Sequence, residues 1–465
     1  MLMNLKNFKN TWEKALIQEG LSLVVIKSNR VLYGGNISGM SGLLECLEKG
    51  HLAGSEVYDT KIGLAAAKLL VWGGADTIHT LVASEAAIKF CRDDDVKLDY
   101  KDGVKRLYTS EDFGGCLYEK MAFKSSSLDE LVDKLKLLRE VRLGRCPKTC
   151  VFPLDYYSTS NRKTYVNFGE WITVQYPEMD KAILVNRQSK TARTVASCEV
   201  KQGDWVVVGN GEGVYEEEIE TSLDEKFRFM SSEVSGERPK EALVAQVADL
   251  VKANRSLGKR TLFIGGPAIV HTGSGKFLAA LIREGWINVV FGGNAIATHD
   301  LEENYLGTSL GTQVKTGERI EGGHHHHLRT VNMVRYYGGI KRSVENSMVK
   351  SGIFYECVQK SVKFVLAGSI RDDGPLTDVI TDAVEAQMAM REETRKGFGL
   401  AVMVATTLHS VATGNLLPYE TRKVIVDDNL AAVTKLADRG TNAMGIVTDC
   451  AYFLSQLCSG LEVRV

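Results

Sequence analysis

The length and spacing of the apolar runs divide the chain into three regions. In the first, strand-like apolar runs alternate with amphipathic helical stretches. In the second, the apolar runs are short and rich in β-branched residues, and polar or glycine turns separate them. The third begins with a long amphipathic helix. We therefore predict an α/β domain over residues 1–123, a connector helix (125–142) with a β-rich domain over 124–237, and a further domain over 238–465.

Six strand-like runs in the third region are apolar nearly throughout, and a helical pattern lies between most neighbours. Strands that alternate with helices form parallel sheets, and fully apolar strands are covered on both faces. The third domain is therefore predicted to be a doubly wound parallel sheet, which makes the fold class α/β. The predicted strands cover residues 261–264, 288–291, 363–366, 400–405, 423–426 and 443–447.

Composition and charge narrow the range of partners. The 465 residues include 57 Lys plus Arg and 58 Asp plus Glu, which favours neither nucleic acid nor an anionic membrane as partner. No run approaches the roughly 18 apolar residues that span a bilayer, and the first residues do not resemble a secretory signal. Nine scattered cysteines are typical of a reducing compartment. We expect a cytoplasmic homo-oligomer that acts on a small molecule.

The segments that follow the predicted parallel strands form the candidate site, because ligands bind beyond the carboxyl ends of such strands. Five of these segments carry Gly, Asn, Thr, His and Asp. Glycine lets the backbone approach a pyrophosphate, helix N-termini offer unpaired N–H groups, and acidic residues hold ribose hydroxyls. Any one segment is explained better as a turn or helix cap, but five together indicate a dinucleotide. The candidate cofactor residues are Thr272, Gly273, Asn294, Ala295, Gly374, Thr407, Asn415 and Asp427.

Two motifs point to other chemistry and are set aside. Residues 273–276 resemble part of a phosphate-binding loop, but Phe277 stands where Ser or Thr would hold magnesium. Residues 324–327 are four consecutive histidines. Adjacent side chains of a helix point in different directions, so that the four cannot converge on one ion. We therefore predict no metal site and expect these histidines to form hydrogen bonds near a substrate or an interface.

Several segments of the second half resemble the archaeal-type ornithine cyclodeaminase family. They include GGPAIVHTG at 265–273, FGGNAIATHDL at 291–301, EGGHHHHLR at 321–329 and FVLAGSIRDDGPLTDV at 364–379. The same module forms the C-terminal part of cyanobacterial arginine dihydrolase/ornithine cyclodeaminase proteins, and its conserved region is often labelled lysine-ketoglutarate reductase/saccharopine dehydrogenase bifunctional. The resemblance covers about 146–458 and implies a Rossmann-like domain that binds NAD.

The resemblance also implies a reaction, the conversion of L-ornithine to L-proline and ammonia with NAD recycled. Such a site needs an acid or base near Cα and an anion for the substrate ammonium. A fainter resemblance to deoxyhypusine synthase, in an Asp-Gly-x-Leu-x-Asp spacing, points to two aspartates for these roles. An arginine beside them is suited to the substrate carboxylate. The predicted catalytic residues are Asp373, Asp378, His409 and Arg371, with His299 and His326 as further candidates for proton transfer.

The first region resembles a small uncharacterised family with a deaminase-like fold. It lacks the His-x-Glu and Pro-Cys-x-x-Cys ligands of zinc deaminases, so we expect a regulatory or assembly role for it. Two other functions of the whole chain stay open. One is an NAD-recycling lyase or transferase that acts on a different amino acid, amine or ring substrate, and the other is a non-catalytic NAD sensor. NADP also stays open as the dinucleotide.

Overall fold

The structure is a computed structural model, and the chain forms two compact units. The first unit comprises Met1–Arg142, Val166–Trp171 and Gly209–Tyr215, and the second comprises Leu143–Tyr165, Ile172–Val208 and Glu216–Val465. Within the described residues, no helix combines the length and the apolar character that crossing a membrane requires. The described residues are 5–36, 40–107, 117–136, 140–169, 171–217, 240–309, 311–313, 318, 323–372, 374–439 and 442–465.

The first unit is built on a mixed sheet with helices packed against it. Its elements are α1 (Leu5–Glu19), β1 (Leu23–Lys27), β2 (Arg30–Gly35), α2 (Ser41–Glu48), β3 (Glu56–Ile62), α3 (Leu64–Trp72), β4 (Thr77–Ser84), α4 (Glu85–Asp93), β5 (Lys97–Val104), α5 (Leu117–Phe123) and α6 (Leu128–Lys136). The strand order is β2-β1-β3-β4-β5, in which β1 is antiparallel to both neighbours and the last three strands are parallel. Apolar residues three to four apart on α1, including Phe8 and Trp12, pack against Val24 and Ile26 of β1.

The middle region is β-rich, as its short β-branched runs predict. Its strands are β6 (Arg142–Arg145), β7 (Thr164–Asn167), β8 (Trp171–Gln175), β9 (Ala182–Asn186), β10 (Thr191–Val195), β11 (Trp205–Val208) and β12 (Val214–Glu216). They form one sheet with the order β12-β7-β8-β10-β9-β11-β6.

The connector helix predicted over residues 125–142 is shorter in the structure. Helix α6 ends at Lys136, and Arg142 already belongs to β6. The backbone N–H of Val141 donates to the carbonyl of Asn167, 2.8 Å away. This hydrogen bond to a residue distant in sequence holds Val141 in an extended segment, although the hydrophobic pattern there predicts a helix.

The third region is the doubly wound parallel sheet that its alternating pattern predicts. Its strands are β13 (Thr261–Gly265), β14 (Val289–Gly293), β17 (Lys363–Ala367), β18 (Val379–Ile380), β19 (Leu400–Val404), β20 (Arg422–Asp427) and β21 (Ala443–Val447), and β15 (Thr308–Ser309) and β16 (Thr312–Gln313) form a separate hairpin. Its helices are α7 (Lys240–Ser256), α8 (Ala268–His271), α9 (Gly275–Arg283), α10 (Asn294–Leu306), α11 (His326–Tyr337), α12 (Ile340–Glu345), α13 (Ile353–Gln359), α14 (Ala383–Thr394), α15 (Thr407–Leu416), α16 (Leu430–Arg439) and α17 (Cys450–Gly460).

The strand order of this sheet creates a crevice. The order is β18-β17-β14-β13-β19-β20-β21, and all paired strands are parallel. From β13 the chain builds outward on one side to β18 and then crosses to β19 on the other side. The connections therefore diverge between β13 and β19, which is the switch point where dinucleotides bind in sheets of this order.

Alternate residues of each central strand face two different apolar layers. Phe263 and Val402 pack into the layer that α7, α9 and α17 cover, whereas Leu262 and Met403 pack into the layer that α14, α15 and α16 cover. Because both faces are buried, the strands need apolar residues at nearly every position, which explains their continuous hydrophobic runs.

Candidate active site

A cavity of about 680 Å³ lies at the carboxyl edge of the parallel sheet. Its walls come from the segments that follow β13, β14, β17 and β19, and from helix α11. The predicted convergence of these segments on one site is therefore present in the second unit. Of the predicted residues, seven line this cavity: Asn294, Ala295, His299, Arg371, Gly374, Thr407 and His409.

Close backbone contact at the switch point explains the glycines after β13. A β-carbon on Gly266 would lie 1.8 Å from the carbonyl oxygen of Ala405, at the end of the neighbouring strand β19. A β-carbon on Gly265 would lie 2.9 Å from the side chain of Ile296. Ala405 itself has a left-handed backbone, with φ of 52°. Such a conformation is costly for alanine and is held by the surrounding structure, a feature that recurs at functional sites.

Asn294 ties the segment after β17 to the first turn of α10. Its Oδ1 accepts hydrogen bonds from the Leu376 backbone N–H at 3.1 Å and from the Thr298 hydroxyl at 3.2 Å. Its Nδ2 donates to Asp372 Oδ1 at 3.3 Å, and the other oxygen of Asp372 accepts from the Ser369 backbone N–H at 2.7 Å. Asn294 therefore shapes one wall of the cavity through its side chain.

His409 lies on the first turn of α15 and lines the cavity. Its Nδ1 is 3.2 Å from the hydroxyl of Thr406, and a β-carbon on Gly293 would lie 3.0 Å from its Cε1. Burial lowers the pKa of His409, against the opposing effects of the Ala367 carbonyl and of Asp372. The imidazole is therefore biased towards its neutral form.

A buried group of histidines and a glutamate borders the same cavity. His299 lines the wall, and its Nδ1 lies 3.0 Å from Oε2 of the fully buried Glu302. His326 is not part of the wall, but its Nδ1 lies 2.7 Å from the Thr308 hydroxyl, which donates to Glu302 Oε1 at 2.9 Å. Sequence reasoning missed Glu302, because it follows no strand. The available signal was its spacing of three residues from His299 on an apolar helix face.

Four of the predicted cofactor residues are not among the residues that line this cavity: Thr272, Gly273, Asn415 and Asp427. The Thr272 hydroxyl donates within α8 to the Ala268 carbonyl at 2.9 Å, and Gly273 forms the left-handed turn after that helix, with φ of 68°. Asn415 lies eight residues beyond Thr407 on α15, about 12 Å further along the axis at roughly 1.5 Å per residue. Asn415 therefore lies well beyond the first turn of α15, and its role at the cofactor stays a prediction.

Two predicted aspartates also lie elsewhere. Asp378 Oδ2 accepts a hydrogen bond from the Ile340 backbone N–H at 2.9 Å and thereby caps α12. Asp378 also lines a separate cavity of about 650 Å³. Asp427 ends β20, where it accepts from the Asn429 backbone N–H at 3.0 Å, and burial raises its pKa. Neither aspartate is among the residues that line the cavity at the switch point, and their roles at the cofactor and the substrate stay predictions. Asp373 lies outside the described residues.

The run of four histidines spans the 3₁₀ turn Gly323–His325 and the start of α11, which begins at His326. In the described part of the chain, no group of three or more His, Cys, Asp or Glu side chains is placed to hold a metal ion. His327 instead lines the cavity, while His325 lines a neighbouring surface depression. Successive histidines thus point to different surroundings, as the helical geometry requires.

Comparison with known families matches nearly the whole chain. The model described as arginine dihydrolase ArgZ-like, C-terminal, Rossmann fold matches residues 245–457, and the model of the first region of the same C-terminal part matches residues 163–244. A domain of unknown function, DUF1893, matches residues 11–138.

Individual relatives match about 70% of this chain, and the matched share of their own length differs from one relative to the next. An ornithine cyclodeaminase of Methanocaldococcus jannaschii is 46% identical over 350 residues, which are 72% of this chain and 82% of that protein. The bifunctional arginine dihydrolase/ornithine cyclodeaminase AgrE of Nostoc sp. is 40% identical over 333 residues, 70% of this chain and 47% of that protein. The crystal structure of a conserved putative LOR/SDH protein from Methanococcus maripaludis S2 matches with a TM-score of 0.65 at 42% identity, over 70% of this chain and 98% of that chain. The chain therefore belongs to the archaeal-type ornithine cyclodeaminase family.

Proposed function

We propose that the protein is an NAD-dependent ornithine cyclodeaminase, a lyase that converts L-ornithine to L-proline and ammonia and leaves NAD unchanged overall. Relatives in which the match covers about four fifths of their length bear that name. The observation that carries the proposal is the meeting of the segments after four parallel strands in one cavity beside the switch point. A reaction that oxidises and then reduces the same substrate needs cofactor and substrate in one enclosed crevice.

The residues around the cavity fit a dinucleotide. Gly265, Gly266 and Gly293 contribute bare backbone to the wall. Helices α10 and α15 both begin there. The residue before α10 is Gly293, which has no side chain, and among the described contacts Thr406 makes no side-chain hydrogen bond to the backbone of the first turn of α15. The first N–H groups of both helices are thus left for a pyrophosphate. When bound there, NAD supplies a reversible acceptor for the hydride of the substrate Cα.

Arg371 is the proposed clamp for the substrate carboxylate. It lines the cavity and is exposed, so its guanidinium is accessible to a ligand that enters. A guanidinium binds a carboxylate through two parallel hydrogen bonds, which fixes the orientation of Cα as well as its position. Asp373, two residues further on, lies outside the described residues and stays a predicted catalytic residue facing the cofactor.

The test is a product balance. The full-length protein is incubated with L-ornithine and NAD⁺, and L-proline, ammonia and NADH are measured over time. We expect proline and ammonia in equal amounts, with no net NADH and no turnover when NAD⁺ is omitted from cofactor-free protein. Stoichiometric NADH would indicate an ordinary dehydrogenase. Tight NAD⁺ binding without turnover of ornithine or of other diamino acids would favour the NAD sensor.

A further inference from the structure

The Thr308 hydroxyl and the Gly311 backbone N–H both donate hydrogen bonds to the carboxyl group of Glu302. Glu302 has no exposed surface, and its Oε1 accepts from the Thr308 hydroxyl at 2.9 Å and from the Gly311 backbone N–H at 3.0 Å. Burial opposes ionisation of Glu302, but the hydrogen bonds from His299, Gly311 and Thr308 outweigh it and lower the pKa of this carboxyl group. At neutral pH the group is therefore a carboxylate, which only accepts hydrogen bonds.

This direction fixes the tautomers of two histidines. Because Glu302 only accepts, His299 must carry its proton on Nδ1 to make the 3.0 Å contact. Thr308 has one hydroxyl proton and gives it to Glu302, so the 2.7 Å contact between Thr308 and His326 places a proton on Nδ1 of His326 as well. The Nε2 atom of neutral His299 therefore holds a lone pair, and His299 belongs to the cavity wall.

We propose that Nε2 of His299 takes up and returns the proton of the substrate amine, and that Glu302 is the positioning residue that holds His299 in the required tautomer. In the first direction the N–H bond of the substrate α-ammonium breaks, its electron pair stays on nitrogen, and the proton moves to Nε2. When ammonia leaves, Nε2 gives a proton back to the departing nitrogen. The imidazole thus ends as it began, and Glu302 stabilises its cationic form in between.

The other charged groups around His299 come from four elements. His271 of α8 is the nearest, with ring centroids 4.7 Å apart, and its Nδ1 lies 2.7 Å from the Ser309 hydroxyl. Burial lowers the pKa of His271, as does the neighbouring His299, against the opposing effect of Glu302, so His271 is biased towards its neutral form. The remaining groups are His326 and His327 of α11, Arg371 and Asp372 after β17, and His409 of α15.

The assignment rests on the proposed function, so ornithine turnover by the unaltered protein is established first. We then expect His299→Ala to lower kcat by about 10²- to 10⁴-fold, the usual contribution of a general acid–base group. The dissociation constant for NAD⁺ stays within about twofold of that of the unaltered protein. Added imidazole restores part of the activity of His299→Ala, because the small base fits into the space that the side chain leaves. A purely structural role of His299 would not respond to imidazole.

Glu302→Gln tests the positioning role with little change in shape. Loss of the negative charge removes the ion pair that stabilises the imidazolium form of His299, so we expect the acidic limb of the kcat/KM profile to move to lower pH, together with a fall in kcat. Glu303→Gln, the adjacent position on α10, serves as the matched control and retains both the rate and the profile. The proposal is overturned if His299→Ala keeps full kcat, or if Glu302→Gln leaves the pH profile in place. If the unaltered protein turns over no ornithine, the proposed function itself has failed instead.

Discussion

Arg391 and Glu178 form an ion pair in the interior of the second unit. Arg391 Nε donates to Glu178 Oε2 at 2.8 Å, and the two side chains are only 3% and 2% exposed. Arg395 contacts the other oxygen of Glu178 at 3.3 Å. The pair joins α14 of the parallel sheet domain to the segment between β8 and β9, far along the chain.

Removal of one partner of this pair is predicted to destabilise the second unit strongly. In Arg391→Met, the buried Glu178 carboxylate loses one of the two arginines that neutralise its charge. Such a change typically lowers the free energy of unfolding by about 3–5 kcal/mol. Urea denaturation followed by circular dichroism measures the loss. Lys341→Met breaks the exposed contact with Glu345, where the side chains are 76% and 55% exposed, and serves as the control. If both substitutions lowered the free energy of unfolding equally, the buried ion pair would not stabilise the second unit more than the exposed contact does.

The contact between Gly266 and Ala405 predicts a cofactor-binding defect. Gly266→Ala places a β-carbon 1.8 Å from the Ala405 carbonyl oxygen, so the backbone at the switch point must move. We expect the dissociation constant for NAD⁺, measured by calorimetric titration, to rise at least about tenfold, equivalent to roughly 1.4 kcal/mol.

The matched control for this substitution lies on α15. A β-carbon at Gly414 would meet no atom within 4 Å. Gly414→Ala is therefore expected to leave NAD⁺ binding unchanged and to stabilise the helix by up to about 1 kcal/mol, because alanine is the better helix former. Unchanged NAD⁺ binding by Gly266→Ala would place the cofactor away from the switch point.

The carboxylate clamp predicts a selective effect of Arg371→Lys. An ammonium group keeps the charge but not the two parallel hydrogen bonds, so we expect KM for ornithine to rise about ten- to hundredfold. The dissociation constant for NAD⁺ should stay unchanged. Steady-state kinetics checks the first expectation, and Arg342→Lys on α12, outside the cavity, provides the comparison. The clamp is assigned wrongly if KM does not respond while the product balance is normal.

Burial of neutral His409 predicts a dependence of stability on pH. Its pKa is lowered from the ordinary value of 6.5, so below that pH the unfolded chain binds more protons at this residue than the folded protein does. The free energy of unfolding therefore falls as the pH decreases through about 6.5 and is restored above it. The midpoint of urea unfolding, measured without cofactor across this range, should show a smaller slope in His409→Asn. An identical slope would mean that other groups cause the dependence.

The sequence predicts the sheet well because its strands are buried on both faces. The predicted run 400–405 corresponds to β19 at Leu400–Val404, and the run 443–447 to β21 at Ala443–Val447. Residues within the first turn after a strand, such as Asn294 and Thr407, line the cavity because the edge of the sheet fixes their position.

The sequence does not determine how far a residue lies from that edge when a helix separates the two. Asn415 and Thr272 have suitable side chains, but the sequence does not show how far α15 and α8 carry them from the strands. Glu302 was missed for the opposite reason. It contacts the site from within a helix, and an acidic residue in a helical pattern is normally read as part of the solvated face.

Asn294 and His299, which both line the cavity, lie on the same uninterrupted helix α10. Asn294, in its first turn, is bonded to the segment that carries Asp372, and His299 follows five residues later on the same rigid rod. A shift of that segment on ligand entry is therefore passed to the imidazole as a rotation or translation of the entire helix. Under the proposed role of His299, a ligand that contacts the segment after β17 would therefore also change the orientation of the imidazole, so that the alignment for proton transfer would depend on the ligand.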